Sequence, residues 1–379
     1  MIPSYRPELG SSELTAIGKV FDSRWLGAGD WVAQFEQRLQ TLLGSKHVVA
    51  VSSGTAALHV ALLGIGIGQG HEVLVPSMTH CSAIQAILAT GATPRFCEVL
   101  PETLNLDSKD AAARITPKTK AIMPVHYGGN ACEMEPIVAL AQERDMVIID
   151  DAAHAFGSSY RGCPVGRLAH VTCFSFDPIK NITCGEGGAV VTESDEVAER
   201  VRILRMIGID TDSWNRQGQR GWDYTVVSMG FRYHLNNLHA AIGLAQLDRF
   251  GEFKAKKQMR VRRYDAALSK VPGIQLLERN VDECFPFNYV IRVPGGRRDR
   301  LARQLFDAGI HCMVQFIPNH LQPAFANYAT SLPRTEMLYE EILTIPLFTE
   351  MTDPQQEFVI DHLQAFLGHG EYSSSRKAA

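Results

Sequence analysis

The stretch VTCFSFDPIKNITCGEGGAVVTE (171–193) shapes the interpretation of the whole chain. Two short apolar runs, VTCFSF (171–176) and GAVVTE (188–193), predict two buried strands. The segment between them carries one lysine, Lys180, followed by a glycine-rich turn around one acid, Glu186. An exposed loop lysine is the ordinary alternative, but a fixed place between a strand and a tight turn suits a lysine that must meet a ligand at a set angle. Lys180 is therefore the first candidate for a functional residue.

Similar apolar runs occur before this stretch and predict further strands. They are HVVAVSS (47–53), EVLVPS (72–77), TPRFCEV (93–99), KAIMPVHY (120–127) and MVIID (146–150). Helix-like stretches at 55–66, 79–91 and 133–145 separate most of them. This alternation predicts an α/β fold with a doubly wound, mostly parallel sheet covered by helices on both faces. Strands that are apolar throughout agree with burial on both faces.

The pattern changes after about residue 235. Residues 236–271 predict a long helix with a break at Gly251. The run FPFNYVIRV (285–293), a helix over 298–309 and a helical pair around 335–343 and 354–367 follow. We therefore expect a large α/β domain over 1–250, and a smaller α+β domain over 251–379 against which the N-terminal segment packs.

Composition excludes several classes of function. Lys and Arg total 37 against 41 Asp and Glu, a net charge of −4, so a nucleic-acid partner is not expected. No apolar run reaches the roughly 18 residues of a membrane helix, and the start of the chain lacks a signal-peptide pattern. The eight cysteines contain no C-x-x-C pair, which predicts free thiols in a reducing cytoplasm and no metal site.

Polar residues follow the predicted strands where each strand ends, and open α/β sheets bind ligands at that edge. Gly54 and Thr55 open a helix after the first strand, where free amides and the helix dipole suit a phosphate. A plain helix cap is the alternative. Asp150 and Asp151 end another strand, and only one of them can point toward the ligand because side chains alternate along a strand.

Further groups of the same kind lie close by in the sequence. His154 follows the two acids, and Ser175 offers a hydroxyl for an anion. Lys180 can form an imine with an aldehyde once burial lowers its pKa. A phosphate cradle, an acid for a ring nitrogen and an imine lysine are together the parts that pyridoxal phosphate requires.

These motifs resemble those of the DegT/DnrJ/StrS family of sugar aminotransferases over nearly the whole chain. The blocks that carry the resemblance, in order, are 25–39, 51–62, 148–158, 175–192, 230–247 and 318–325. The resemblance implies the fold of type I pyridoxal-phosphate enzymes, similar to aspartate aminotransferase, and a homodimer with shared active sites.

The resemblance also implies a role for each matching residue. Lys180 would hold the cofactor as an imine and move the proton, and Asp151 would pair with the ring nitrogen. The other expected cofactor contacts are Gly54, Thr55 and Ser175 at the phosphate, His80 stacked on the ring, His154 near its phenolic oxygen, and Arg232 or His234 from the neighbouring subunit. His154 stands where glutamine is more frequent, and His80 where an aromatic residue is usual.

The substrate expectation is also taken from the family. Segment 208–235 resembles that of members that aminate carbon 4 of a nucleotide-linked 4-keto-6-deoxy sugar, with glutamate as the expected donor. Substrate contacts are assigned to Glu186, His320, Trp214 and Arg220, with Arg216 and Trp222 also placed to meet the nucleotide; packing of a surface loop is the alternative for the segment around Trp214. The pair Gln315-Phe316 departs from the family's usual His-Tyr.

Several functions stay open at this point. Amination at carbon 3, or of a keto-cyclitol, would use the same cofactor site. A dehydratase branch of the family has histidine in place of the lysine, so Lys180 favours transamination. A non-catalytic regulatory protein with this fold would be expected to have lost cofactor residues, and Lys180, Asp151, Gly54 and Thr55 are all present.

Overall fold

The computed structural model of the chain describes residues 1–210 and 224–368. The strands in these residues are β1 His47–Val51, β2 Glu72–Pro76, β3 Thr93–Cys97, β4 Thr119–Ile122, β5 Val147–Asp151, β6 Ser159–Tyr160, β7 Cys163–Pro164, β8 Val171–Ser175, β9 Gly188–Thr192, β10 Gln275–Leu276, β11 Tyr289–Arg292 and β12 Ile342–Ile345. The helices are α1 Ser11–Ser23, α2 Asp30–Leu43, α3 Gly54–Gly64, α4 Cys81–Ala89, α5 Ser108–Ala113, α6 Met134–Glu143, α7 Asp195–Arg205, α8 Asn237–Asp248, α9 Phe250–Leu268, α10 Arg298–Asp307, α11 Pro333–Glu341 and α12 Asp353–Gly368.

The main sheet has seven strands in the order β1-β9-β8-β5-β4-β2-β3. The pairs from β8 through β3 are all parallel, whereas β9 runs antiparallel to both β8 and β1. All seven apolar runs that the sequence predicts as strands are strands of this sheet, and the α/β expectation is confirmed. Every strand except β9 therefore ends at the same edge, so the segments that follow them lie close together.

The sheet is buried on both faces, which explains why its strands are apolar throughout. We call the face that packs against α3, α4 and α7 the front face; Val49, Ile149 and Cys173 point into its core. The opposite face, the back face, packs against α2, α6, α8 and α9. Because side chains alternate along a strand, adjacent residues at a strand end belong to different faces.

The smaller unit follows the long helical stretch. The predicted break in that stretch lies at Arg249, between α8 and α9, two residues before Gly251. Strands β10, β11 and β12 form an antiparallel sheet with its own apolar core. Strand β12 was not anticipated, since its first residues were assigned to a helix over 335–343. The boundary at residue 250 stays a prediction.

The N-terminal segment packs on this smaller unit, as contacts of its backbone demonstrate. The Ile2 amide donates to Gly309 O at 2.7 Å, and the Leu347 amide donates to Ser4 O at 3.1 Å. Within residues 1–210 and 224–368, no helix is long and apolar enough to cross a membrane, and no group of three or more His, Cys, Asp and Glu is arranged to hold a metal ion.

Candidate active site

The amino end of α3 lies directly against the end of β8. Ser53 caps the helix by accepting the Ala56 amide at 3.1 Å. A Cβ added to Gly54 would stand 2.7 Å from Ser175 Cβ, and one added to Gly188 would stand 2.4 Å from Ser53 O. Real side chains cannot be this close, so glycine is required for helix, loop and strand to meet. Thr55 is exposed at the mouth of this cradle, which has the amides and hydroxyls that suit a phosphate.

Asp151 ends β5 on the front face, and only 4% of it is exposed. The Ala153 amide donates to its Oδ1 at 3.1 Å. Burial raises the pKa of this carboxyl, and the Ala153 amide and the charge of Lys180 oppose that shift. A buried carboxylate of this kind is stabilised by a cationic partner. A protonated ring nitrogen would be such a partner.

Asp150, the preceding residue, points to the back face and is fully buried. His126, also fully buried, places its Nε2 3.3 Å from Asp150 Oδ2. The Cys132 amide donates to His126 Nδ1 at 3.0 Å, which puts the proton of a neutral imidazole on Nε2, facing the acid. This pair lies behind the site. Sequence reasoning missed it because the two residues are 24 positions apart and nothing in their spacing links them.

Lys180 is held in a tight turn after β8. The Asp177 side chain accepts the Ile179 amide at 2.9 Å, and the Lys180 amide donates to Asp177 O at 3.2 Å. The Lys180 Nζ atom lies 3.9 Å from Asp177 Oδ2 and 4.6 Å from the centre of the Phe287 ring. Burial lowers the pKa of Lys180, although the charges of Asp177 and Asp151 oppose this. A larger fraction of this amine is therefore neutral and nucleophilic than in an exposed lysine.

A row of aromatic rings forms one wall beside Lys180. The ring of His154 stacks on Phe287 with centroids 4.1 Å apart and lies 5.9 Å from Phe316. Phe316 meets His80 edge-on at 5.6 Å, and Tyr5 stacks on Phe287 at 5.1 Å. Sequence reasoning missed Phe287 and Tyr5, because both belong to segments whose apolar pattern indicates only packing.

The two histidines of this wall differ in exposure. His154 is buried, the Gly128 amide approaches its Nδ1 at 3.4 Å, and burial holds its pKa well below the usual value, so the ring is neutral. His80 is exposed and caps α4, with its Nδ1 2.8 Å from Ser82 Oγ. Partial burial and the charge of Lys180 lower the pKa of His80. Its stacking on a ring stays a prediction.

Two expected substrate residues occupy different surroundings. Glu186 is exposed beside the lysine turn, and partial burial with the charge of Asp177 raises its pKa. His320 is 5% exposed, with Nδ1 2.7 Å from Ser77 Oγ and Nε2 3.2 Å from Glu336 Oε1. Both of its ring nitrogens thus have hydrogen-bond partners, an arrangement that suits a residue holding the segment with Phe316 in place.

The segment preceding α8 runs beside β1. His234 pairs with Val51 in an isolated antiparallel β-bridge, and the Ser52 amide donates to Tyr233 O at 2.6 Å. Arg232 pairs with Met206 in another isolated antiparallel β-bridge, and the residue is exposed. Trp214 and Arg220, with Arg216 and Trp222, lie outside the described residues, so their expected substrate contacts stay predictions.

The residues present fit pyridoxal phosphate. The cradle of Gly54 and Ser175, the buried carboxylate of Asp151 and the amine of Lys180 lie at one edge of the sheet, at the ends of β1, β5 and β8 or just after them. Each has the chemistry that one part of the cofactor requires: phosphate, ring nitrogen and aldehyde. The assignment of individual residues to these parts is still a prediction.

Comparisons with known proteins identify the family that this chain resembles. Residues 7–364 match the model of the DegT/DnrJ/EryC1/StrS aminotransferase family. The spore coat polysaccharide biosynthesis protein SpsC of Bacillus subtilis (strain 168) is 35% identical over 371 residues, 95% of each chain. The crystal structure of the aminotransferase TlmJ from Streptoalloteichus hindustanus is 35% identical, with a TM-score of 0.91 over 97% of this chain and 99% of that one. The putative sugar aminotransferase Spr1654 from Streptococcus pneumoniae, in its PMP form, is 29% identical, with a TM-score of 0.92 over 97% of this chain and 99% of that one.

Proposed function

Since the chain belongs to the DegT/DnrJ/EryC1/StrS aminotransferase family, we propose that it moves an amino group from glutamate to carbon 4 of a nucleotide-linked 4-keto-6-deoxy sugar. The chain is an aminotransferase, and its cofactor is pyridoxal phosphate. The sugar substrate is supported by the relatives, one named for polysaccharide biosynthesis and another as a putative sugar aminotransferase. The carbon-4 position is supported by the similarity of segment 208–235 to members that act there.

The observation that carries the proposal is the environment of Lys180. Lys180 is partly buried at the sheet edge, its amine lies 4.6 Å from the centre of the Phe287 ring, and this burial lowers its pKa. A neutral amine at this place can attack an aldehyde and can later accept a proton. Bound pyridoxal phosphate supplies an electron-withdrawing ring that stabilises negative charge at the carbon that loses a proton.

The chain's own residues then divide the work. Lys180 Nζ accepts the proton from the α-carbon of the donor and, in the second half-reaction, returns a proton to the carbon that becomes the amine carbon of the sugar. Asp151 stays ionised opposite the ring nitrogen and keeps a proton there. The neutral His154 is placed to donate a hydrogen bond from Nε2, because its Nδ1 faces the Gly128 amide.

The remaining contacts concern substrate and partner subunit. We assign Glu186 and His320, with Trp214 and Arg220, to the substrate, the last two to its nucleotide part. We also propose a homodimer in which Arg232 or His234 reaches the cofactor phosphate of the neighbouring subunit. Exposed apolar side chains support a subunit interface: Leu14 and Phe21 on α1, and Val227 and Met229 next to the Arg232 segment.

A subunit-mixing experiment tests the shared site. Lys180→Ala and Arg232→Ala proteins, each inactive or impaired alone, are unfolded, mixed and refolded together. If Arg232 serves the neighbouring site, half of the sites in mixed dimers are intact, and about a quarter of the normal activity returns under random assortment. No recovery, with dimers present by light scattering, would place Arg232 in its own subunit's site, and near-normal activity of Arg232→Ala alone would place it outside any site.

The reaction itself is tested in two steps. Absorbance of the purified protein is recorded before and after glutamate, with alanine as the comparison donor. Thymidine- and uridine-diphosphate-linked 4-keto-6-deoxyglucose, their 3-keto isomers and a nucleotide-free keto-inositol are then added separately, and the position of the new amine is found by NMR.

The outcomes separate the candidates. Loss of the visible band with glutamate and its return with a 4-keto sugar would support the proposal. Return with a 3-keto sugar or with the keto-inositol would replace carbon-4 amination by the corresponding alternative. Absence of any band with added pyridoxal phosphate would overturn the role of Lys180.

A further inference from the structure

A second buried lysine lies directly behind the Lys180 turn. Lys257, on α9, is only 4% exposed. Its Nζ atom donates to Asn181 Oδ1 at 3.0 Å and to Phe287 O at 3.4 Å, and the Phe285 and Phe287 rings lie about 6 Å away. None of the ion pairs between described residues involves this lysine. Its polar contacts are therefore an amide and a main-chain carbonyl, both neutral.

Both contacts lead to groups that define the catalytic site. Asn181 follows Lys180 in the chain, and its Nδ2 donates to Phe285 O at 2.9 Å. Phe287 carries the ring that lies 4.6 Å from Lys180 Nζ and stacks on His154. One amine thus joins the lysine turn to the aromatic wall, with its own helix, α9, as a rigid support.

Burial of a lysine without an acidic partner is unfavourable, so its presence requires an explanation. Burial lowers the pKa of Lys257 to about 7, a shift that the thiol of Cys284 only slightly opposes. A methionine would fill a similar volume without this cost, but it could not donate to Asn181 and Phe287.

We propose that Lys257 is a positioning residue for the transamination, which holds the Lys180 turn and the Phe287 wall in register through Asn181 and the Phe287 carbonyl. The proposal rests on the assignment of Lys180 as the cofactor lysine. Lys257 itself need not touch cofactor or substrate. Misplacement of reacting groups by about 1 Å can lower a rate about 100-fold, which makes the effect measurable.

The test compares Lys257→Met with Lys254→Met in the holoenzyme. Lys254 is on the same helix and is half-buried, and its Nζ donates to Gly157 O at 2.9 Å, away from the catalytic turn. We expect Lys257→Met to lower kcat about 10- to 100-fold with little change in KM, and to weaken or invert the visible circular dichroism of bound cofactor. Lys254→Met should stay within about twofold of the wild type.

Thermal unfolding and a double-mutant cycle exclude a merely structural role. If Lys257 acts through Asn181, the kcat losses of Lys257→Met and Asn181→Ala are not additive. Additive losses, or a fall in the unfolding temperature with unchanged visible dichroism and kcat, would overturn the proposal. So would equal effects of the two methionine variants.

The wild-type spectrum separates this inference from the proposed function. A visible band in the wild type, together with an unaltered Lys257→Met enzyme, contradicts only the positioning role. Absence of a band in the wild type contradicts the role of Lys180 and the inference that depends on it.

Discussion

Asp150 and Asp151 are neighbours in sequence, yet they serve opposite faces of one sheet. Asp151 faces the front, where its raised pKa shows a carboxylate that lacks sufficient compensation for burial. Asp150 faces the back, 3.3 Å from an equally buried histidine. The contrast indicates that burial has two effects here. On the front face it leaves the Asp151 carboxylate in need of a cationic partner, and on the back face it encloses the Asp150–His126 pair within the fold.

The two lysines Lys180 and Lys257 also differ in how deeply they are buried. Lys180 lies at the open edge beside the aromatic wall, whereas Lys257 is covered on α9 behind it. Variants of the two aspartates should therefore separate loss of activity from loss of stability, whereas Lys257→Met should lower kcat because Lys257 contacts the Lys180 turn.

The largest effect is expected for Lys180→Ala. Without the amine, neither the covalent attachment of the cofactor nor the proton transfer can occur, so turnover should fall to an undetectable level, although cofactor can still bind non-covalently. Steady-state assays and the visible spectrum measure both consequences. Lys109→Ala, at an exposed position, is the control; near-normal turnover in Lys180→Ala would refute the assignment.

Asp151→Asn should follow, with turnover about 100- to 1000-fold lower, because the amide cannot hold a proton on the ring nitrogen. The matched variant Asp150→Asn should keep turnover within about tenfold of the wild type. Assays at saturating donor and acceptor make the comparison. Equal losses of turnover in the two variants would contradict the proposed difference in function between the two faces of the sheet.

For stability we expect the reverse order, with a larger loss in the Asp150 variant than in the Asp151 variant. Asp150→Asn weakens the fully buried contact with His126 and leaves an amide NH2 group unpaired, so we expect the free energy of unfolding to fall by about 2 kcal/mol. Asp151→Asn should change it little or raise it, because it removes a buried charge. Urea unfolding of both cofactor-free proteins gives the free energies of unfolding. A more stable Asp150→Asn protein would contradict a stabilising role of the Asp150–His126 pair.

The smallest expected effect is the pH dependence of stability that arises from Lys257. The pKa of Lys257 is about 7 in the folded chain, below its ordinary value of 10.5, so the unfolded chain binds more protons between these values. Stability contributed by this group should therefore rise with pH above 7, by up to about 1.4 kcal/mol per pH unit, and be independent of pH below 7. The difference in unfolding free energy between wild type and Lys257→Met at pH 6, 7.5 and 9 measures this slope. A flat difference would show that Lys257 stays charged when folded.

Much of the fold could be predicted because its signals are local. The strands of the main sheet are continuous apolar runs, and alternation alone dictates that Asp150 and Asp151 face opposite ways. The lysine turn and the Gly54 helix start are equally local. Strand β12 was missed because it directly follows the last turn of α11, where an apolar run agrees with either structure.

The support of the site could not be predicted, because it depends on contacts between distant segments. Lys257 is 76 positions from Asn181, and its charge on a helix rich in Lys and Arg suggests an exposed position. Phe287 belongs to a run whose pattern indicates only a strand. Only the packing of α9 against the lysine turn shows that these residues contact it.

The Tyr5 contact has a consequence for synthesis of the chain. Its hydroxyl donates to the side chain of Gln315, 310 positions later, and its ring stacks on Phe287. Tyr5 leaves the ribosome long before Phe287 and Gln315, so it has no place to dock until these residues have been made. The wall beside Lys180 is therefore completed only after residue 315 has been made, and a nascent chain that stops before residue 287 carries Lys180 without its aromatic wall.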